Sequence, residues 1–211
     1  MKITKPYIKE LIFHTPEGYT IEKWIEAAGR TCYASRNKTR KNSASKFIRK
    51  IRKLQHHSVL EHATASAILI GDIGMSRELI RHRIASYAER STRYVKSPKK
   101  FGHIHVIEPP GLDKEGKKIF QWAAIESEIR YKQLIELGYK PEIARSVLPI
   151  GLETEIVVTA NLREFRHIFN MRCSKAAHPT IRTLFLTLLE EFNKRLPSIY
   201  EDLYNKFLVD N

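Results

Sequence analysis

Hydrophobic residues recur at intervals of three and four positions in several segments of the chain, which predicts amphipathic helices. The first of these helices follows Thr20, a residue that commonly caps helix N-termini, and the last long one closes before Pro197. Asn161 is an equally good cap for a helix with an apolar and a polar face. The helices predicted in this way cover residues 21–30, 44–57, 119–137, 162–171, 180–194 and 199–207.

Three shorter segments, residues 63–70, 103–107 and 155–159, are β-branched or alternate between apolar and polar residues, which predicts strands. After the first strand, Ser76 is predicted to cap a helix that carries Arg77 and Arg81 one turn apart on one face. Residues 113–118 are charged and predict a flexible connector. The mixture favours an α+β fold in which helices cover a strand-poor sheet.

The composition, 42% hydrophobic over 211 residues, suits one sizeable core and predicts a single domain spanning residues 1–211. No apolar stretch approaches the ~20 residues of a membrane helix, and residues 1–6 lack a secretory signal, so we expect a cytoplasmic protein. Only Cys32 and Cys173 are present, too few for a disulfide framework or a cysteine-based metal site. We expect both to be reduced and buried, and we expect no bound metal.

The formal charge is +14, and the stretch from Arg36 to Lys53 holds nine lysines and arginines with no acid. Nucleic-acid binding must therefore be considered. However, Phe47, Ile48 and Ile51 suit an amphipathic helix with its lysines outside, and no aromatic residue is interleaved at stacking spacing. A solvated basic helix is favoured, and a third reading is that this charge steers anionic substrates toward a site.

The densest chemistry lies in residues 81–94, which hold four arginines, a histidine and two tyrosines. Guanidinium groups match the geometry of phosphates, and the hydroxyls of Ser86, Ser91 and Thr92 favour departure from a helix. We therefore interpret the segment as a ligand site rather than a solvated helix face. No Ser-His-Asp or Cys-His arrangement for nucleophilic catalysis accompanies it.

Arg81-His82-Arg83, followed after seven residues by Ser91 and then by Arg93-Tyr94, resembles the signature of flavin-dependent thymidylate synthases. The resemblance continues in order through most of the chain. Its further blocks are Arg30–Tyr33, Ser58–His62, Ala144–Pro149, Thr159–Glu164, Arg172 and Ser174–Pro179.

This resemblance implies a central, mostly antiparallel sheet covered by helices, and a homotetramer whose sites draw on more than one subunit. It implies reductive methylation of dUMP to dTMP, with FAD as hydride carrier, 5,10-methylenetetrahydrofolate as carbon donor and NADPH as reductant. The cofactor would then supply the difficult chemistry, while the protein binds, orients and excludes water.

The resemblance also assigns roles. Arg172 is implied to face the uracil ring and His56 the reactive flavin edge, and with Ser91 they form the predicted catalytic set. The residues implied to bind FAD are Ser58, Glu61, Arg81, His82, Arg83, Glu89, Asn161, Arg163 and His167. Those implied to bind dUMP are Arg77, Ser91, Thr92, Arg93, Tyr94, Arg145 and Arg172.

The chain departs from the family pattern at two positions, with Glu78 where many members have Gln and Ala88 where many have Asn. Ala88 cannot form a side-chain hydrogen bond. Glu78 would repel a nucleotide phosphate unless Arg77 or Arg81 neutralises it, so it is left out of the predicted site. Two other readings stay open: a basic nucleic-acid-binding protein that keeps the fold without activity, and a flavoprotein NADPH oxidase.

Overall fold

Six strands form two sheets in the computed structural model, which describes residues 1–92 and 103–210. The strands are β1 Lys2–Thr4, β2 Tyr7–His14, β3 Thr64–Asp72, β4 Ala85–Glu89, β5 His105–Ile107 and β6 Glu153–Asn161. The main sheet has the order β2-β3-β6-β4 and is antiparallel throughout, whereas β1 and β5 form a small parallel pair. The predicted α+β fold with a mostly antiparallel sheet is confirmed.

Eight α-helices surround the sheet in the described ranges. They are α1 Ile21–Cys32, α2 Ser43–Lys53, α3 Ile73–Leu79, α4 Lys114–Glu136, α5 Pro141–Ala144, α6 Leu162–Arg172, α7 Pro179–Arg195 and α8 Pro197–Tyr204. Short 3₁₀ turns cover Arg36–Lys38, His57–His62 and Arg145–Val147, and a π-helical turn, Asn205–Val209, follows α8. Among these helices, none has an apolar stretch long enough to cross a bilayer.

The main core lies between one face of the sheet and the C-terminal helices. On β6, and on β3 as far as Leu69, every second side chain is buried, because neighbouring residues of a strand point to opposite faces; the last three residues of β3 are all buried. The buried side chains of the sheet pack against a cluster of aromatic rings from α6 and α7. In this cluster Phe192 contacts Phe165 and Phe169 at centroid distances of 4.7 and 5.1 Å. The buried Tyr200 hydroxyl donates to the Leu162 carbonyl oxygen at 3.0 Å, which ties α8 to the start of α6.

Two predicted helix starts are confirmed by their caps. The Thr20 hydroxyl accepts a hydrogen bond from the Lys23 backbone N–H at the start of α1. The side-chain oxygen of Asn161 accepts from the Glu164 N–H at 2.8 Å, so α6 begins where its sequence predicts. The polar face predicted for α6 is also present, with Arg163 and His167 exposed beside buried neighbours.

Other boundaries were wrong. Asp72, not Ser76, caps α3, because its carboxylate accepts from the Met75 N–H at 2.5 Å. Since α3 ends at Leu79, Arg81 lies in the turn beyond the helix, not one turn from Arg77 on the same face. The connector predicted at residues 113–118 is the first turn of α4, capped by the Asp113 side chain.

Two expectations about burial also fail. Cys32 is exposed at the end of α1, whereas Cys173 is buried as predicted. On α2, Arg52 is buried and donates to Glu201 at 2.7 Å, so part of the basic stretch is structural rather than solvated. The predicted single-domain organisation stays a prediction.

Candidate active site

A cleft of about 730 Å³ lies between α3, the residues after β4, the turn Arg145–Val147 and the start of β6; we call it the arginine cleft. It gathers four residues of the predicted dUMP set, together with Glu89 from the predicted flavin set. The members of the dUMP set are Arg77, Ser91, Thr92 and Arg145. Arg93 and Tyr94, also predicted to bind dUMP, lie outside the described residues.

Backbone and side-chain hydrogen bonds fix the walls of the arginine cleft. The Arg90 N–H donates to the Glu155 carbonyl oxygen at 2.9 Å, and its guanidinium donates to the Glu153 carbonyl oxygen at 2.6 Å. These bonds extend the attachment of the chain to β6 beyond the end of β4. Across the cleft, Arg145 Nη1 donates to Thr92 Oγ1 at 2.9 Å. A guanidinium and hydroxyls are thereby held together, a donor set that suits a phosphate.

A second cleft, of about 350 Å³, is bounded by the end of α1, α2, the turn His57–His62 and the start of α6; we call it the histidine cleft. It contains His56, Ser58 and Arg163 from the predicted sets. Beside it, Arg163 Nη1 donates to Glu61 Oε1 at 2.5 Å, so these two predicted flavin contacts touch each other. The remaining lining includes the apolar side chains of Tyr33, Phe47, Ile51 and Val59.

His57 carries a further polar group at this cleft. Its Nε2 atom is buried and has no hydrogen-bond partner among residues 1–92 and 103–210. Burial, and secondarily the positive charge of Arg166, lower the pKa of His57 below its ordinary value, which favours the neutral imidazole.

Arg172 is the centre of a third group of predicted site residues. Its Nε donates to His82 Nε2 at 2.9 Å, its Nη1 donates to Glu78 Oε2 at 2.7 Å, and its Nη2 donates to the Glu78 carbonyl oxygen at 2.7 Å. A guanidinium has five N–H groups, so these three bonds leave two for a ligand. The His167 ring lies edge-on to His82, with 5.5 Å between centroids.

His82 is buried, and burial, followed by the neighbouring charges of Arg172 and His167, lowers its pKa to about 4. The ring is therefore neutral at physiological pH. Since Nε2 accepts from Arg172, the hydrogen-bond network assigns the ring proton to Nδ1, which lies 3.6 Å from Glu164 Oε1. A chain of polar contacts thus runs from Glu164 through His82 to Arg172.

This cluster resembles a cation site in composition, because ligand atoms of His82, Glu164 and His167 lie within 4.8 Å of one another. The guanidinium of Arg172 already places a positive charge against His82, which opposes binding of a second cation. We therefore interpret His82 and Glu164 as residues that hold the Arg172 side chain in its orientation.

Tyr87 fixes the turn that carries His82. Its hydroxyl lies 2.8 Å from the His82 carbonyl oxygen and 3.0 Å from that of Leu79, and it donates to this pair. Burial, and then the charge of Glu164, raise the pKa of Tyr87 to about 12, so the phenol keeps its proton. Arg81 and Arg83 lie in the same turn with exposed side chains, as ligand-binding residues would.

The arginine and histidine clefts lie at opposite ends of β6. Thr154 lines the arginine cleft, and Asn161 leads into the helix that carries Arg163 into the histidine cleft. The seven residue-to-residue steps of strand from 154 to 161 span about 23 Å. One chain therefore does not bring Ser91 and His56, two members of the predicted catalytic set, into a single pocket.

Sequence reasoning missed the residues that support Arg172, namely Glu78, Tyr87 and Glu164. Glu78 had been considered only as a source of repulsion, with Arg77 or Arg81 as its neutralising partner. A signal existed for Glu164, because it lies one turn before His167 on the predicted helix. Tyr87 gave no such signal, since β4 was not predicted.

Residues 10–198 match the model of the Thy1 family, described as thymidylate synthase complementing protein. A flavin-dependent thymidylate synthase of Geobacter sulfurreducens is 37% identical over 205 residues, covering 91% of this chain and 84% of that relative. One of Corynebacterium diphtheriae is 32% identical over 209 residues, covering 90% and 81%. The chain belongs to the flavin-dependent thymidylate synthase family.

Membership of this family makes the protein an enzyme, and the resemblance expected from the ordered motifs is confirmed. A crystal structure of thymidylate synthase X from Helicobacter pylori, with FAD and dUMP, superposes with a TM-score of 0.75. It covers 95% of this chain and 98% of that one at 22% identity, which shows that the two proteins share a fold.

Proposed function

We propose that this enzyme converts dUMP to dTMP, taking the one-carbon unit from 5,10-methylenetetrahydrofolate and using FAD as hydride carrier and NADPH as reductant. The observation that carries the proposal is the arginine cleft, where Arg77, Ser91, Thr92 and Arg145 meet. The relatives' shared name supports the reaction, and the H. pylori structure shows that a protein of this fold holds both FAD and dUMP.

The arginine cleft suits the phosphate of dUMP. Because Arg145 is already hydrogen-bonded to Thr92, the cation and the hydroxyl are oriented before the ligand arrives, which lowers the entropy lost on binding. Ser91 contributes a second hydroxyl, and Arg77 on α3 a second cation, to the lining of the same cleft. In this proposal Arg93 and Tyr94 complete the binding of the nucleotide.

Arg172 acts on the uracil ring as an electrophile. Two of its N–H groups are free of the contacts with Glu78 and His82, and they can stabilise negative charge that develops on a uracil oxygen. Since His82 stays neutral, it accepts the Arg172 N–H and adds no competing positive charge. No cysteine thiolate is needed in this account; Cys173 is buried, and burial raises its pKa to about 12.

The residues of the histidine cleft fit FAD. Apolar walls suit a flat ring system. When bound, FAD supplies the hydride that completes the methyl group. Ser58, Glu61, Asn161 and Arg163 would hold it from this side, with His56 near the reactive edge. The other predicted flavin contacts lie outside this cleft: His82 and His167 beside Arg172, Arg81 and Arg83 in the turn that carries His82, and Glu89 in the arginine cleft.

A complete active site needs more than one chain, and we propose a homotetramer. The two clefts lie about 23 Å apart along β6, so the nucleotide of one subunit would meet the flavin contacts of another. The face of α4 also carries large apolar side chains that the monomer leaves uncovered, with Trp122 66% exposed. The others at helical spacing are Ile119, Ile125 and Ile129.

Subunit mixing tests the shared site. Arg145→Ala and His56→Ala each damage a different cleft, so each homo-oligomer should turn over poorly. If sites are shared, mixed oligomers contain some sites built from two intact clefts, and mixing should restore about a quarter of the activity of the original protein. Activity that stays at the level of the single variants would contradict the proposal. Light scattering should give about 98 kDa, four times 24.6 kDa.

The reaction itself is tested by product analysis. The FAD-loaded protein should form dTMP from dUMP only when methylenetetrahydrofolate and NADPH are both supplied, and Arg172→Ala should abolish product formation. NADPH consumption that ignores dUMP and gives no methylated product would indicate an oxidase instead. A cytoplasmic location belongs to the same proposal, and the free thiols of Cys32 and Cys173 suit a reducing compartment.

A further inference from the structure

A third cleft, of about 560 Å³, lies beside the histidine cleft between the end of α1, the turn Arg36–Lys38 and α2. We call it the lysine cleft, because Lys38, Lys46 and Lys50 line it. None of the roles assigned above uses these three residues.

The lysines of this cleft have uncompensated charge. In the described part of the chain, Lys38, Lys46 and Lys50 form no ion pair, whereas Arg49 and Arg52 of the same helix both contact Glu201. Lys46 and Lys50 lie one turn apart on α2, where like charges repel each other. An anionic ligand between them would remove that repulsion.

The floor of the lysine cleft is apolar. Tyr33 is 69% exposed and Leu54 is 54% exposed, and both line the cleft together with Phe47. A purely solvated basic helix face would not present large apolar side chains beside its cations. Apolar surface combined with a few charged groups is typical of a site for an organic anion.

The lysine cleft and the histidine cleft are continuous. They share four lining residues, Tyr33, Phe47, Ile51 and His56. A molecule whose ring lies near His56 can therefore extend a tail past Tyr33 towards Lys46 and Lys50. The two co-substrates of the proposed reaction have this form: the folate carries a chain of glutamyl carboxylates, and NADPH carries phosphates.

We propose that the lysine cleft binds the anionic tail of a co-substrate whose ring lies against the flavin held at the histidine cleft. The inference rests on the proposed function. It gives part of the basic stretch a local role, with Lys38, Lys46 and Lys50 as contacts that determine co-substrate affinity. Long-range attraction by the whole +14 charge would not depend on which lysines are removed.

The test compares two double variants that lose the same charge. Lys46→Gln/Lys50→Gln removes cations from the cleft, and Lys41→Gln/Lys53→Gln removes exposed cations that do not line it. KM is measured for monoglutamyl and tetraglutamyl methylenetetrahydrofolate, for NADPH and NADH, and for dUMP. Affinity for tetraglutamyl folate is also measured by calorimetry on the FAD-loaded protein without reductant.

The cleft variant should raise KM for one tailed co-substrate by about three- to tenfold, as expected for the loss of two exposed ion pairs. A larger effect on tetraglutamyl than on monoglutamyl folate identifies the carboxylates, and a larger effect on NADPH than on NADH identifies the phosphates. In either case KM for dUMP should not change. In 0.5 M salt, the KM values of the cleft variant and the original protein for the affected co-substrate should move closer together.

Two results would overturn the inference: unchanged KM values for every co-substrate, or equal changes in the cleft variant and the control variant. Failure of the proposed function looks different, because the unsubstituted protein would then form no dTMP. The inference and the proposed function can therefore fail separately.

Discussion

Arg172 and Glu78 are joined by two hydrogen bonds, one to the Glu78 carboxylate and one to its backbone carbonyl oxygen, both at 2.7 Å. Sequence reasoning had offered Arg77 or Arg81 as the partner of this carboxylate, and Arg81 does form an ion pair with it, with 3.8 Å between Nη1 and Oε1. Glu78 therefore does not face the phosphate as an unpaired charge. It holds the guanidinium that the proposed mechanism places against the uracil ring, and we interpret it as a positioning residue.

Glu78→Ala should lower kcat by about 10- to 100-fold, because a misplaced guanidinium stabilises the transition state poorly. Glu78→Gln keeps an acceptor oxygen and should restore most of the activity. Steady-state kinetics with dUMP as the varied substrate measure kcat and KM for each variant. A rise in KM with unchanged kcat in Glu78→Ala would instead indicate a role in binding the ground state.

His82 should make stability depend on pH. Its pKa in the folded protein is about 4, below the ordinary 6.5, so the unfolded chain binds the extra proton first as the pH falls. The stability linked to the neutral ring is complete above pH 6.5 and is lost between pH 6.5 and 4. Burial is the largest cause of this lowered pKa, Arg172 and then His167 add to it, and Glu78 opposes it; Glu164 Oε1 also faces the ring, 3.6 Å from Nδ1.

Urea unfolding at pH 7 and pH 4.5 measures this effect. The original protein should lose about 2 to 3 kcal/mol more than His82→Gln over that interval, from a shift of roughly two and a half pKa units. Equal losses in the two proteins would show that other groups, rather than His82, carry the pH dependence.

Arg145→Ala should weaken dUMP binding by about 10-fold or more, since a charge-assisted contact to phosphate is lost and the Thr92 hydroxyl loses its partner. Affinity for FAD should stay the same, because the histidine cleft lies at the other end of β6. Lys23→Ala on the exposed face of α1 is the control. Loss of FAD together with dUMP would show that the two clefts do not act separately.

The two cysteines should differ in reactivity. Cys32 is exposed and lines the histidine cleft, whereas Cys173 is buried with its pKa raised to about 12. A disulfide reagent should therefore modify one thiol per folded chain and two in denaturant. Added FAD should slow the modification of Cys32 at least several-fold if the flavin occupies this cleft; an unchanged rate would place the flavin elsewhere.

Local patterns predicted the helices well and the sheet poorly. Asn161 and Thr20 signal their helices through a side chain that caps the adjacent turn, which depends on neighbouring residues alone. The strands β2 and β4 were missed because they are defined by pairing with β3 and β6, which are distant in the sequence.

The same distinction applies to the site. The ordered motifs predicted which residues to examine, and the structure confirms that Arg77, Ser91, Thr92 and Arg145 meet. The partners of Arg172 depend on how α6 crosses the turn after α3, and periodicity does not report this. The motifs could not predict the division into two clefts either. They give the order of the site residues along the chain, whereas the clefts are separated in space by the length of β6.

The central claim, that flavin and nucleotide share one catalytic site, is tested most directly by the visible spectrum of the FAD-loaded protein during titration with dUMP. The account predicts flavin absorption bands that shift with dUMP and saturate, and the shift should require Arg145. A protein that takes up no FAD, or whose flavin bands do not respond to dUMP, would contradict it.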